Sequence, residues 1–285
     1  MNLLSNRPKI GLALGGGGPK GLAHIGIIKV LEENNIPIDY IAGTSIGAMV
    51  GGFYAAKKNI YEIEKLALTT NWPKFISIFF DPSIRQGLIK GEKLKKFIED
   101  YLGEINFKDL KIPFKAVATD LHTGEKFVIG KDKVSTAIKA STAIPLMFTP
   151  VKIDNRTLID GGVSYPVPVD VVRQMGADFV IAVNLTGNDQ FDDKEKKLTY
   201  SSIASNSLNI LRYNLALENI KTAEFVIAPK VGDIGWKHFF TYKGTEKSIK
   251  LGVDALEPRI NELKEIINKR SQNNNIFQRL SKIFK

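Results

Sequence analysis

A serine lies at the centre of a G-x-S-x-G segment that runs from Gly43 to Gly47. The segment follows a short apolar stretch and precedes a helical pattern, the context in which a nucleophile elbow lifts a serine hydroxyl above a sheet edge. Small residues also form this motif by chance, and a serine there equally suits the N-cap of a helix. Ser45 is therefore a candidate nucleophile that needs support from other residues.

Four consecutive glycines, Gly15 to Gly18, lie between a predicted strand and a predicted helix. Glycine allows close backbone approach and unusual φ and ψ angles, and amide groups near a helix N-terminus bind anions. Because Pro19 has no amide hydrogen, the glycines must supply the donors. The loop predicts an anion site, and a tight strand-to-helix turn is the simpler alternative.

The same loop matches G-x-G-x-x-G at Gly16, Gly18 and Gly21, so a dinucleotide site must be weighed. That site needs an acidic residue at the end of the next strand to hold the ribose, whereas Asp39 precedes that strand. A P-loop is excluded because the loop has no G-K-[ST] sequence. A regulator that binds a phosphate or nucleotide through this loop remains the non-enzymatic alternative.

A nucleophilic serine needs a base, and the chain contains three histidines. His24 lies in the first predicted helix and His122 and His238 in predicted loops, so none has the context of a catalytic base. Asp160 leaves a predicted strand into two glycines, where its carboxylate can lie at the same sheet edge as the serine. The alternative is an aspartate whose side chain closes an Asp-Gly turn.

The elements that must position these residues alternate along the chain. Apolar runs predict strands at 10–14, 40–43, 114–119, 126–129, 157–159, 179–184 and 224–228. Helical patterns cover 22–34, 46–59, 61–69, 91–101, 133–140, 168–175, 200–219 and 246–268. This alternation predicts an α/β fold with a mostly parallel sheet covered by helices. Residues 71–86 and 187–197 are predicted to be loops.

The three motifs occur in the order glycine-rich loop, G-x-S-x-G and Asp-Gly-Gly, and together they resemble the bacterial patatin-like phospholipase family. Residues 116–125, 140–151 and 166–170 also look like blocks of that family, so the resemblance covers roughly residues 9–228. It implies a three-layer patatin-like fold. It also implies a Ser–Asp dyad in which Ser45 is the nucleophile and Asp160 the general base.

The resemblance further implies an oxyanion hole of backbone amides, from Gly17 and Gly18 in the first place and with Gly16 and Ile46 as further members. Lys20 is an expected contact for a lipid phosphate, although a surface lysine explains it equally well. The implied activity is the cleavage of carboxylic esters of phospholipids or related acyl lipids through an acyl-enzyme. A carboxylesterase or thioesterase on soluble acyl substrates is the alternative within enzymes.

The net charge is +10, from 40 basic and 30 acidic residues, and half of it lies in residues 269–285. There, basic residues alternate with an apolar stripe of Ile276, Phe277, Leu280, Ile283 and Phe284. Such a basic amphipathic helix binds anionic membranes, or else it docks on protein. We therefore expect a hydrolase domain at 1–268 and a tail at 269–285, with a hinge at 271–275.

The remaining composition narrows the classes of partner and cofactor. With no cysteine, the chain has no disulfide, no thiolate metal site and no cysteine nucleophile, and no metal or cofactor is expected. No targeting or membrane-spanning segment is evident, so the sequence predicts a cytoplasmic protein with optional peripheral contact at the inner face of the membrane. DNA binding would rest on net charge alone and is not expected.

Aromatic and apolar residues at 72–80 suit a lid, an acyl-chain groove or core packing.

Overall fold

The computed structural model describes residues 7–70, 91–145, 147–187, 199–235 and 241–283, and in 201, 202, 205 and 273–283 it describes the backbone alone. The strands are β1 (Ile10–Leu14), β2 (Tyr40–Thr44), β3 (Phe114–Asp120), β4 (Lys126–Ile129), β5 (Val151–Ile153), β6 (Arg156–Asp160), β7 (Phe179–Val183) and β8 (Phe225–Ile227). The α-helices are α1 (Ala23–Glu33), α2 (Ile46–Lys57), α3 (Ile60–Thr69), α4 (Glu92–Leu102), α5 (Val134–Ser141), α6 (Val169–Gln174), α7 (Tyr200–Ile220), α8 (Tyr242–Leu256) and α9 (Ile260–Ile283). Short 3-10 helices cover Gly18–Leu22, Phe107–Asp109, Gly161–Val163 and Glu257–Arg259.

The strands form one sheet in the order β5-β6-β3-β2-β1-β7-β8, and β4 also pairs with β3. The pairs from β3 through β2, β1 and β7 to β8 are parallel. The pairs of β3 with β4 and β6, and of β5 with β6, are antiparallel. The mostly parallel α/β sheet predicted from the sequence is thus confirmed.

Helices cover both faces of the sheet, because side chains on successive strand residues point to opposite faces. In β1, Ile10, Leu12 and Leu14 pack in a large core with α1, α2, α3 and α8. Ala13 instead joins a smaller core on the other face, formed by valines and alanines of α6 and its neighbours. The result is a helix–sheet–helix arrangement in which the central strands are buried on both sides.

Three local expectations need correction. Strand β5 was not predicted because it has only three residues, although Asp154 and Asn155 form the positive-φ turn typical of a two-residue hairpin loop. The single helix expected at 246–268 is two helices: α8 begins early because Thr241 caps it, and Pro258 ends it because proline has no amide hydrogen.

The hinge expected at 271–275 is also wrong, since α9 continues through these residues to Ile283. Serine, glutamine and asparagine have only modestly lower helix propensity than alanine, so this polar run does not end the helix. The expected division of the chain at residue 268 falls inside α9 and stays a prediction. Among the described residues, none of the helices has the length and apolar character needed to cross a bilayer.

Candidate active site

Ser45 occupies the turn between the last residue of β2 and the first residue of α2. Its φ of 56° and ψ of −125° lie outside the regions that non-glycine residues normally adopt. Such strain persists only where the surroundings enforce it, and it is common at functional sites. Here Gly47 packs so closely that a Cβ atom on it would lie 2.3 Å from the Leu14 carbonyl oxygen. This close approach requires a glycine at position 47 and holds the start of α2 against the end of β1.

Asp160, the last residue of β6, accepts a 2.5 Å hydrogen bond on Oδ2 from the Ser45 hydroxyl. Both side chains are buried. The other carboxylate oxygen, Oδ1, accepts a 2.7 Å hydrogen bond from the Gly162 amide. Strands β2 and β6 both flank β3, so the sheet topology brings together two residues that are distant in sequence. The structure therefore pairs the predicted nucleophile with the predicted base.

The pKa of Asp160 lies above its ordinary value. Burial is the main cause, since it disfavours the charged carboxylate. The positive charge of Arg212 and the hydrogen bonds from Ser45 and Gly162 act in the opposite direction. A carboxylate with a raised pKa is a better acceptor for a serine proton near neutral pH.

Two buried hydroxyls hold the backbone of this pair. Ser141 Oγ accepts a 2.8 Å hydrogen bond from the Ser45 amide and donates one of 2.6 Å to the Val117 carbonyl. Thr119 Oγ1 donates a 3.0 Å hydrogen bond to the Asp160 carbonyl. Neither residue stands out in the sequence, because each acts through the tertiary structure rather than through a local motif.

The glycine-rich loop lies beside Ser45 and corrects one expected oxyanion donor. The Gly16 amide donates to the Pro166 carbonyl at 2.9 Å and is therefore not free to bind an oxyanion. The amides of Gly17, Gly18 and Ile46 donate to no acceptor within the described part of the chain. These three remain the candidate donors, and they flank the turn that presents the serine.

His24 lies in α1 and contacts this loop rather than Ser45. Its Nε2 donates a 2.8 Å hydrogen bond to the Gly15 carbonyl, and burial lowers its pKa to about 4. The ring is therefore neutral at pH 7, and its role is to position the loop. His122 is exposed in the turn after β3, and His238 lies outside the described residues.

Arg212 is the functional candidate that the sequence did not indicate. It comes from α7, and its guanidinium lies close to Gly16, which adjoins Ser45, and to Gly162, which adjoins Asp160. The positive charge of Arg212 lowers the pKa of Asp160, against the effect of burial. No local pattern in α7 marks the residue, so only the packing of α7 over the sheet edge could find it.

A narrow apolar pocket begins at Ile46, directly after the candidate nucleophile. Its lining comes from the 3-10 helix after the glycine loop and from α1, α2, α3 and α4, and includes Leu22, Ile25, Met49, Phe53, Leu66 and Phe97. Alkyl chains bind in such pockets because burial removes their apolar surface from water. The pocket holds only about 30 Å³, so it has room for one small apolar group beside the residue that follows the serine.

The structure does not test the roles predicted for Lys20, for the tail or for residues 72–80. Lys20 is half-buried on the 3-10 helix after the glycine loop, and its contact with a phosphate stays a prediction. The apolar stripe of the tail falls in or beyond the end of α9, where side chains are not described, and Phe284 lies outside the described residues. The aromatic and apolar segment at 72–80 also lies outside them.

Comparisons with known proteins agree with the motifs. A family model described as patatin-like phospholipase matches residues 12–173. An uncharacterized NTE family protein of Mycobacterium tuberculosis is 38% identical over 191 residues, which cover 65% of this chain and 51% of that protein. Human patatin-like phospholipase domain-containing protein 6 is 31% identical over 193 residues, covering 64% of this chain and 14% of that protein.

Further matches give the same picture. The neuropathy target esterase of Drosophila melanogaster is 30% identical over 190 residues, covering 64% of this chain and 13% of that protein. The crystal structure of VipD from Legionella pneumophila has a TM-score of 0.59 at 13% identity, covering 93% of this chain and 67% of that one. At that identity the likeness concerns the fold alone. The chain spans about half the length of the mycobacterial relative and a smaller part of the animal proteins.

Proposed function

The chain belongs to the patatin-like phospholipase family, and from that premise we propose that it hydrolyses carboxylic ester bonds of phospholipids or related acyl lipids. The observation that carries the proposal is the 2.5 Å hydrogen bond from Ser45 Oγ to Asp160, beside loop amides that donate to no acceptor among the described residues. This arrangement supplies the three parts that acyl transfer needs, which are a nucleophile, a base and donors for an oxyanion.

In the proposed first step, Asp160 Oδ2 takes the Ser45 hydroxyl proton as Oγ bonds to the ester carbonyl carbon. Negative charge moves onto the carbonyl oxygen, where the amides of Gly17, Gly18 and Ile46 donate hydrogen bonds. The tetrahedral intermediate then expels the alcohol, which takes the proton from Asp160, and leaves an acyl-enzyme. Removing one oxyanion donor typically lowers kcat by roughly 10²–10³.

In the second step water replaces the alcohol. Asp160 takes a proton from the water as its oxygen bonds to the acyl carbon, and the same amides bind the new oxyanion. Collapse of this intermediate breaks the acyl–Oγ bond, and Ser45 recovers its proton from Asp160. A raised pKa suits Asp160 to both directions of transfer, because the aspartate must accept a proton and then return it.

Two observations support a lipid rather than a small soluble ester. The small pocket beside Ile46 is lined only by apolar side chains, so it favours an apolar part of a substrate over a polar one. The human relative carries the name patatin-like phospholipase domain-containing protein 6. Soluble esters and thioesters would use the same Ser45–Asp160 pair, so the substrate class must be decided by measurement.

Hydrolysis of matched substrates tests the proposal. We expect purified protein to release fatty acid from micellar phosphatidylcholine faster than it cleaves p-nitrophenyl acetate or acetyl-CoA, and Ser45→Ala to abolish all turnover. Ser207→Ala, an exposed serine on α7, is the control and should keep full activity. Faster turnover of the soluble substrates would make the protein a carboxylesterase or thioesterase. Full activity of folded Ser45→Ala would refute the serine mechanism.

We also propose that the protein is cytoplasmic and makes peripheral contact with the inner face of the membrane through the basic amphipathic tail. The support is its sequence pattern, since five basic residues and no acidic residue occur at 269–285. Deleting residues 273–285 should weaken binding to phosphatidylglycerol vesicles and leave hydrolysis of a soluble ester unchanged. Unchanged vesicle binding would refute this part of the proposal.

A further inference from the structure

The guanidinium of Arg212 lies between the two glycine segments of the candidate active site. A Cβ atom on Gly162 would lie 2.8 Å from Arg212 Nη2 and 3.0 Å from Asp160 Oδ1. A Cβ atom on Gly16 would lie 3.3 Å from the same Nη2 and 3.4 Å from the Cβ of Ser45. The space that a Cβ atom would occupy at Gly162 thus lies between the guanidinium and Asp160. The corresponding space at Gly16 lies between the guanidinium and Ser45.

Arg212 has no partner of its own within the described residues. Its Nε is buried and donates to no acceptor, and the side chain forms no hydrogen bond or ion pair with a described group. A buried donor left unpaired is costly, and such groups in native proteins are usually satisfied by a ligand, an ion or water. The guanidinium therefore has hydrogen-bond donors available for an acceptor at this position.

Asp160 is not that acceptor, because its carboxylate forms no hydrogen bond or ion pair with Arg212, although both residues are described. Its Oδ2 is engaged by the Ser45 hydroxyl and its Oδ1 by the Gly162 amide. The pKa of Asp160 stays raised although Arg212 acts to lower it, which is unlike a direct carboxylate–guanidinium pair. The donors of Arg212 are thus left for a group that enters from outside.

We propose that Arg212 binds the phosphate of a phospholipid whose ester carbonyl lies at Ser45, an inference that rests on the proposed function. A guanidinium presents a planar fork of donors that fits phosphate oxygens and stays charged at all physiological pH values. In a glycerophospholipid only a few bonds separate the phosphate from the scissile ester, which matches a cation placed beside the nucleophile. Arg212 then takes the role that the sequence pattern suggested for Lys20.

A pair of substrates that differ only in the phosphate tests this role. Dihexanoyl phosphatidylcholine and dihexanoylglycerol carry the same acyl esters, and both are used as monomers so that membrane binding does not enter. Arg212→Met keeps an apolar stem of similar length without the charge, and Arg212→Lys keeps the charge without the fork. Lys221→Ala is the control, because it removes a cation that pairs with Glu218 on the surface just after α7.

We expect Arg212→Met to lower kcat/KM for dihexanoyl phosphatidylcholine by roughly 10- to 100-fold, mostly through KM, as loss of a hydrogen bond to a charged group implies. Dihexanoylglycerol hydrolysis should fall far less, because it loses only the effect of the Arg212 charge on Asp160. Arg212→Lys should recover part of the loss, and Lys221→Ala should match the wild type on both substrates. Circular dichroism and thermal unfolding establish that each variant is folded.

Three results would overturn the proposal. An equal loss on both substrates, with a shifted acid limb of the pH profile, would mean that Arg212 acts only through Asp160. No loss on either would remove Arg212 from the site. Inhibition by inorganic phosphate that depends on Arg212, with both lipids affected alike by Arg212→Met, would assign the site to free phosphate.

Binding measurements separate this inference from the proposed function. Dihexanoyl phosphatidylcholine is titrated calorimetrically into Ser45→Ala and into Ser45→Ala/Arg212→Met. We expect the loss of Arg212 to weaken binding by roughly the same 10- to 100-fold. If the wild type hydrolysed neither lipid while binding still required Arg212, the proposed function would fail and the phosphate site would stand. Equal binding to both variants would refute the phosphate site whatever the activity.

Discussion

The buried imidazole of His24 should make the stability of the protein depend on pH in a predictable way. In the folded state its Nε2 donates to the Gly15 carbonyl, and its Nδ1 is buried with no hydrogen-bond partner. Burial lowers the pKa of His24 from 6.5 to about 4. Between about pH 6.5 and pH 4, the unfolded chain therefore binds a proton on His24 that the folded chain does not bind.

This difference in pKa corresponds to about 3 kcal/mol of stability that is present at neutral pH and lost as the pH falls from 6.5 towards 4. His24→Gln removes the titrating group and keeps an amide nitrogen near the position of Nε2, so it can still donate to Gly15. The stability of the variant should therefore fall less steeply with acid than that of the wild type. All other titrating groups are shared, so they cancel in the comparison.

The assay is urea unfolding of both proteins at several pH values between 4 and 8. We expect the free energy of unfolding of the wild type to drop by about 3 kcal/mol more than that of His24→Gln over this range. Ester hydrolysis at pH 7.5 should persist in the variant, because His24 holds the loop and transfers no proton. A difference in stability that does not change with pH, or a loss of activity as complete as that of Ser45→Ala, would refute the reasoning.

Three further predictions concern the same site. Asp160→Asn should abolish hydrolysis and raise the midpoint of thermal unfolding at neutral pH, because it removes a buried charge. This gain in midpoint should shrink as the pH falls through the raised pKa of Asp160, since the wild-type carboxylate is then protonated. A change in midpoint that is negative or independent of pH would contradict the prediction. Ser141→Ala removes the hydrogen-bond partner of the Ser45 amide and of the Val117 carbonyl. It should therefore lower the free energy of unfolding by about 1–3 kcal/mol and reduce kcat. An unchanged midpoint of urea unfolding would count against these two hydrogen bonds. If the acyl chain of the substrate enters the apolar pocket, Met49→Trp should block it and shift the preference among p-nitrophenyl esters from long to short acyl chains. An unchanged chain-length profile would mean that the acyl chain binds elsewhere.

The sequence predicted those parts of the site that depend on local geometry. G-x-S-x-G placed Ser45 on an elbow, and Asp-Gly-Gly placed Asp160 at a strand end, since glycine and turn residues carry backbone information at fixed spacing. Resemblance to a family then joined the two segments. Their actual contact depends on the order in which β2, β3 and β6 lie in the sheet, which neither segment encodes alone.

The residues that sequence reasoning missed act at long range. Arg212 reaches the site only because α7 packs over the glycine loops, and Ser141 only because the end of α5 meets the turn at Ser45. Gly16 was expected among the oxyanion donors because the loop sequence does not reveal that the Pro166 carbonyl occupies its amide. In each case the decisive partner lies far away in the chain, where periodicity and spacing carry no signal.

If Asp160 activates Ser45 for attack on an acyl carbonyl, a fluorophosphonate probe should react with Ser45, and peptide mass spectrometry can locate the adduct. We expect one covalent adduct, on Ser45, that the wild type forms, that Ser45→Ala lacks, and whose formation is slowed by orders of magnitude in folded Asp160→Asn. An adduct on another residue, or equal labelling rates for the wild type and Asp160→Asn, would contradict it.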